Sequence, residues 1–248
     1  MTNDPWAALQ AELDRCRAAG KTARFWLRDD DAVEPTPELD RLLVLAEKHG
    51  TPLSLAVIPQ HTGEVLARRL DIAKSVNVVV HGWSHKNLAG EGEKKQELGP
   101  HRDAGDALSE LRAGFEKLRA LYPAAFTPVL VPPWNRIVAS LIPELEGIGF
   151  RALSVFGPEK QGPIRLVNTH ADIMDWHGTR GGRMDEAILA DIVKRLGDMF
   201  VSGGTMGLLT HHLVHDDAAW SFIDRLLAFT RQHAACRWVS LPEILSER

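Results

Sequence analysis

Phe25-Trp26-Leu27-Arg28-Asp29-Asp30-Asp31 carries a short apolar run straight into three carboxylates. The pattern recurs twice. Val76-Asn77-Val78-Val79-Val80 runs into His81-Gly82-Trp83-Ser84-His85, and Met206-Gly207-Leu208-Leu209-Thr210 runs into His211-His212. Apolar runs this short, rich in β-branched residues, read as buried strands. Ionisable groups collected at the carboxyl ends of several parallel strands are how barrel enzymes build an active site. A carboxylate pair with two His four apart is metal-site chemistry. Together these readings point to a metal-dependent hydrolase.

Working outward, strand signals alternate with helical ones. Asp4, Pro5 and Gly20 mark the cap, first position and end of an amphipathic helix within residues 1–20. Thr36-Pro37-Glu38 opens a second helix that runs to His49-Gly50. Leu53–Ile58 reads as a strand and 63–73 as a short helix. The charged segment Lys86–Arg102 reads as a long loop over the strand ends. Leu108, Leu111, Phe115 and Leu118 set a helical spacing over Asp103–Leu121. Val129–Val131 is a strand that stops at Pro132-Pro133, and a helix is expected over Val138–Glu146. Ala152–Phe156 and Leu166–Val167 are weaker strand signals. Asp185 is expected to cap a helix carrying Ile188, Leu189, Ile192, Val193, Leu196 and Met199. A helix over Ala218–Arg231 and a strand at Trp238-Val239 complete the chain. The alternation implies a mostly parallel sheet in one domain, 1–248. Seven or so strands allow either a closed barrel or a doubly wound open sheet, and composition does not choose between them.

The chain has 248 residues, 44% of them hydrophobic, and a net charge of −4. That length suits a single α/β barrel, and the charge gives no reason to expect nucleic acid as a partner. Cys16 and Cys236 form no metal or redox motif and read as reduced thiols. Residues 1–20 contain Asp4, Glu12, Asp14, Arg15 and Arg17 and no uninterrupted apolar stretch, unlike a signal peptide. No stretch approaches the roughly 20 apolar residues of a membrane span. The expectation is a cytoplasmic protein.

Each motif has a bland reading beside the chemical one. Three adjacent carboxylates at a buried strand end repel one another, and a nearby cation would relieve that cost; the alternative is a solvated turn. Eleven His in this chain produce roughly 0.5 chance pairs at i, i+4 spacing, and His211 with His215 is a second such pair, so spacing alone is a weak signal. What lifts His81 and His85 is their place straight after a strand. In Val131-Pro132-Pro133-Trp134-Asn135 the double proline makes a rigid wall, and Trp134 could stack on a sugar face or pack on the rim. Asp172-Ile173-Met174-Asp175-Trp176 sets a carboxylate beside an indole. A His that ends a strand and meets a carboxylate, as in Thr210–Asp217, can serve as a general acid. Gly178–Arg183 reads as a solvated loop more readily than as a phosphate contact.

The order of these motifs is more specific than any one of them. Asp-Asp, His-x-x-x-His, Pro-aromatic, Asp-x-x-Asp-Trp and Leu-x-His, from Phe25 to His212, resemble the polysaccharide deacetylase (NodB-homology) family. The resemblance implies a distorted (β/α) barrel and a divalent metal, usually zinc. Carried over, Asp31, His81 and His85 would be the metal ligands and Asp30 the general base. His211 would be the acid that protonates the leaving amine, with Asp175 holding and charging it. Trp134 and Trp176 would line the pocket for the acyl methyl group, with Asn135 beside them on the substrate side. The implied reaction removes an acyl, first of all an acetyl, from an amino sugar or similar acylated amine. The implied substrate is a small sugar or sugar precursor.

This chain departs from the family pattern in two places. The family has an aromatic residue before Asp-Asp where this chain has Asp29, so the motif is either Asp29-Asp30 or Asp30-Asp31; Ala32 favours the later pair. The arginines upstream of the third-motif proline, one of which tethers the base, are replaced by Val129 and Val131, leaving Arg28 or Arg136 as substitutes. That gap motivates a second reading, a catalytically silent barrel that binds metal and carbohydrate. A third is a hydrolase of non-sugar C–N bonds, since fold does not dictate substrate.

Overall fold

A computed structural model describes residues 4–247. In chain order the elements are α1 (Pro5–Ala18), β1 (Ala23–Ala32), α2 (Pro37–His49), β2 (Leu53–Val57), α3 (Glu64–Asp71), β3 (Val76–His81), α4 (Ala104–Leu121), β4 (Phe126–Val131), α5 (Leu145–Ile148), β5 (Ala152–Leu153), β6 (Arg165–Leu166), β7 (Ala171–Asp172), α6 (Asp185–Ser202), β8 (Met206–Thr210), α7 (Asp217–Arg231), β9 (Cys236–Trp238) and α8 (Leu241–Ser246). The expected helix over residues 1–20 is present as α1, capped by Asp4 onto Trp6 N; its expected first residues, 1–3, lie outside the described residues. Among the described residues, no helix is long and apolar enough to cross a membrane.

All strand pairings are parallel, in the order β6-β5-β4-β3-β2-β1-β8-β7, with β9 added beside the start of β1. β6 and β7 belong to one extended run, 165–172. Its first half bonds to β5 and its continuation (Val167 N to Leu153 O, Thr169 N to Val155 O, His170 N to Gly207 O) carries it across to β8. The sheet therefore curls into a distorted (β/α) barrel, which decides against a doubly wound sheet.

Alternation along the strands sorts side chains into two layers. Phe25, Leu27, Leu53, Leu55, Val78, Val80 and Leu130 join the main core with the helices. Trp26, Ala56, Val79, Val129, Val131, Ala152 and Val167 form a second apolar cluster, which fills the lumen. Val239, Leu241, Ile244 and Leu245 belong to that second cluster. Because β9 pairs with Ala23–Phe25, the amino end of β1, α8 plugs the amino end of the barrel and the carboxyl end stays open.

Several boundaries differ from the sequence reading for physical reasons. Over Val138–Glu146 the chain forms a 3-10 turn, Ala139–Glu144, with Pro143 inside it; proline has no N–H to continue an α-helix there. Met184, not Asp185, is the cap residue of α6, and Asp185 lies in its first turn, where a negative charge favours the helix dipole. α8 was not anticipated; Ser240 caps it and Pro242 lies in its first turn.

The lumen is tight where β1 meets β8. A Cβ on Gly207 would lie 2.6 Å from Trp26 Nε1 and 2.5 Å from the Asn168 carbonyl oxygen. Gly207→Ala should therefore destabilise the fold by about 1–3 kcal/mol, read as a lower urea midpoint; an unchanged midpoint would contradict this packing.

Candidate active site

The three adjacent carboxylates separate into three environments. Arg28 and Asp30 point into the lumen, and Asp29 points out to the helix layer with Phe25 and Leu27. Asp31 breaks the alternation: its φ is +75° and the β1–β2 register shifts between Asp29 and Ala32. This bulge re-aims Asp31 over the open end of the barrel.

Asp31 meets two imidazoles there. Its Oδ1 lies 3.1 Å from His81 Nε2 and 3.2 Å from His85 Nε2. His81 ends β3 and is buried, and its Nδ1–H donates to the Val131 carbonyl at 2.9 Å. That bond orients the ring so that Nε2 faces Asp31. His85 arrives on the loop after β3, and the Trp134 ring lies 4.4 Å from its own. The ligand atoms of Asp31, His81 and His85 all fall within 4.8 Å of one another. One carboxylate and two imidazole nitrogens, with partial exposure on one side, fit a catalytic divalent metal such as zinc. Burial raises the Asp31 carboxyl, but His81, His211 and His85 outweigh it and hold the group well below the usual range. Burial and the neighbouring His81 push the His85 imidazole down, favouring the neutral form a metal needs.

Asp30 is held from its own strand. Arg28, fully buried, reaches it through Nε–Oδ1 at 2.9 Å and Nη2–Oδ2 at 3.0 Å. The guanidinium also donates to Ser154 Oγ at 2.8 Å and Asn135 Oδ1 at 2.7 Å. Of the two expected substitutes for the arginine missing near Val129 and Val131, Arg28 is the one that holds Asp30. Arg136 does not; its Nη1 donates to the Lys95 carbonyl. Asn135, expected on the substrate side, accepts from Arg28 through its side-chain oxygen. Trp134 and Asn135 both have left-handed backbones, φ +54° and +57°, so one tight turn sets the indole on His85 and the amide on Arg28.

His211 faces the same lumen end, its Nε2 3.9 Å from Asp30 Oδ2. Trp176 packs edge-on against it, ring centroids 4.7 Å apart. The carboxylate near His211 is Asp172, which ends β7. Trp176 Nε1 donates to its Oδ2 at 2.8 Å and Met174 N to its Oδ1 at 2.9 Å. Burial raises the Asp172 carboxyl, and the charge of His211 opposes that. Asp175, expected to hold His211, is turned away into a loop. Its oxygens accept from Gly178 N at 2.9 Å and Thr179 N at 3.0 Å. The strand-end position belongs to Asp172, and three residues later the chain has already left the strand.

Asp29 completes the sorting. It accepts from Thr210 Oγ1 at 2.7 Å, His212 N at 2.9 Å and the His212 imidazole, all fully buried. His212 is therefore tied to the helix side, and the lumen-facing pair is Asp30 with His211. His215 accepts from His211 N through Nε2 at 3.2 Å and packs on Trp220. Gly178–Arg183 makes no phosphate cradle: Gly182 N donates to Asp216, and Arg183 pairs with Asp191.

Two further residues shape the site and had little sequence signal. Ser154 was simply part of an expected strand. Glu97 lies in the polar loop beside Glu91 and Glu93, which nothing in the sequence distinguishes from it. It is buried, and its carboxylate accepts from Ser84 N at 2.7 Å and His85 N at 3.2 Å.

The buried pairs have measurable consequences. Arg28→Met leaves Asp30 charged and unpaired and should cost about 3–5 kcal/mol in urea denaturation, whereas adding Asp30→Leu should recover most of it. An equal loss in both variants would show that the pair is not the cause. Burial pushes His215 down from 6.5 to about 4. The unfolded chain then binds the extra proton between those values, so this group's stabilisation is lost as pH falls from 6.5 toward 4. His215→Gln should flatten that acid-side decline; identical pH slopes would refute it.

No protein-family model matches the sequence, and no curated protein matches it. Solved structures do match in fold. A protein from Mycobacterium smegmatis described as a candidate polysaccharide deacetylase is 16% identical, with 92% of this chain and 90% of that one covered and a TM-score of 0.66. A peptidoglycan N-acetylglucosamine deacetylase is 15% identical, with 92% and 90% covered and a TM-score of 0.60. A family 4 acetyl xylan esterase from Clostridium thermocellum, in complex with a cobalt ion, is 14% identical, with 90% of each chain covered and a TM-score of 0.55. The chain has the curled parallel (β/α) barrel of polysaccharide deacetylases and family 4 carbohydrate esterases, as its motif order implied.

Proposed function

We propose that this protein is a metal-dependent hydrolase that removes an acyl group, acetyl first, from an acylated amino sugar or a similar acylated amine. One observation carries the reading. Asp31, His81 and His85 converge on one point at the open end of the barrel, and Asp30 and His211 face the same end from adjacent strands. Asp31, His81 and His85 would hold the ion. A divalent cation there supplies Lewis acidity, polarising an amide carbonyl and acidifying water.

The side chains supply the proton transfers. Asp30, oriented by Arg28, takes the proton from the attacking water. His211 delivers a proton to the departing amine, which is a poor leaving group without it. The carboxylate placed near His211 to orient it is Asp172, not Asp175. Trp134 and Trp176 flank the two sides of the site and offer apolar walls for an acyl methyl group and a sugar face. The silent-barrel reading rested on a missing tether for the base, and Arg28 removes that reason. Cys16 and Cys236 are both free thiols, which fits a cytoplasmic setting and a small sugar precursor as substrate.

Acetate release from a panel of N-acetylated sugars tests this. Activity should vanish on chelation and in His81→Ala/His85→Ala. Asp30→Asn and His211→Ala should each lower kcat by about 10²–10⁴-fold with zinc content unchanged. Undiminished turnover in the double His variant would refute the proposal.

A further inference from the structure

Glu97 takes no part in the proton transfers above, yet it is 0% exposed. It sits on the long loop between β3 and α4, just before Leu98, which bridges to Ile137 and pins the loop down. Its oxygens accept from Trp83 N at 3.3 Å, Ser84 N at 2.7 Å, Ser84 Oγ at 2.9 Å and His85 N at 3.2 Å. Three successive backbone N–H groups turned onto one anion form an anion-binding concavity, and here the protein's own carboxylate fills it. Left-handed backbones at Gly82 (φ +59°) and His85 (φ +56°) bend the loop into that shape. The fit is close, since a Cβ on Gly82 would lie 2.3 Å from Glu97 Oε2.

Charge makes this residue unusual. Asp29 pairs with His212 and Asp30 with Arg28. Among the described residues, Glu97 has only neutral donors and no cationic side chain at ion-pair distance. A buried anion without a countercharge is costly. The loop it organises carries His85, one member of the ligand set.

We propose that Glu97 is a positioning residue of the metal centre: it moulds loop 82–85 so that His85 Nε2 meets Asp31 and His81, and its charge tightens cation binding. This rests on the metal-site reading above. Residues that orient metal ligands from behind typically change affinity by about 10–100-fold.

The test is titration of the chelator-stripped full chain with Zn2+, together with the visible absorption spectrum of its Co2+ form. Glu97→Gln should weaken Zn2+ binding by about 10–100-fold and alter the Co2+ spectrum, with circular dichroism unchanged. Glu97→Asp, which keeps the charge, should recover part of the affinity. Ser84→Ala removes one donor and should weaken binding by about 2–10-fold; it decides the matter if Glu97→Gln does not fold. Unchanged Zn2+ affinity and superimposable Co2+ spectra in the folded variants would overturn the role of Glu97 and leave the metal site standing. A wild-type chain that binds neither ion would overturn the metal reading, and this inference with it.

Discussion

The period of two along β1, and its interruption at Asp31, organises the whole site. Regular alternation places Arg28 and Asp30 in the lumen and Asp29 among the helices. Without the left-handed turn at Asp31, the third carboxylate would follow Asp29 to the helix side, away from His81 and His85. A strand that paired perfectly to its end could not present two successive carboxylates to one cavity. The bulge gives up a stretch of ladder between β1 and β2 in return for that geometry.

The same interruption resolves an electrostatic problem. Three neighbouring carboxylates at a buried strand end are mutually repulsive, and a single cation was the expected remedy. The structure divides the problem instead. Asp29 is answered by His212 and Thr210, Asp30 by Arg28, and Asp31 by His81 and His85. Among the described residues, only the last of these brings together three groups that could hold a metal ion. Asp29 and His212 also tie β1 to β8 at the level where their ladder ends, at Asp29 and Thr210. The residues facing the other way, Asp30 and His211, are thereby held side by side. Buried pairs of this kind contribute little net stability against an apolar alternative, but they are expensive to break singly. Their value here is spatial.

Much of this was legible beforehand because it is local. The apolar runs before Asp29, His81 and His211 declared strands whose ends carry chemistry, and the motif order declared the barrel. Asp31, His81 and His85 were named as a set and do converge. What was not legible shares a cause. Asp175 and Asp172 are three residues apart, and only the point where β7 ends decides which stands beside His211. Asn135 lies next to Trp134 in a polar-looking motif, and only the arrival of Arg28 from across the lumen shows where its oxygen goes. Glu97 looks like any glutamate of a solvated loop until that loop folds back over His85. α8 was missed because Ser240-Leu241-Pro242 begins a helix too short to show a period.

The sequence by itself determined which residues could be chemical, in what order, and on which strands, because hydrophobic period and residue type act over a few positions. Tertiary structure alone decided which carboxylate went where. It sent Asp29 to His212, set Arg28 on Asp30, placed Asp172 rather than Asp175 near His211, and buried Glu97 beneath the His85 loop. The reason is that burying a charge is costly until a partner is found, and each of these partners lies on a different segment, brought within reach only when the barrel curls.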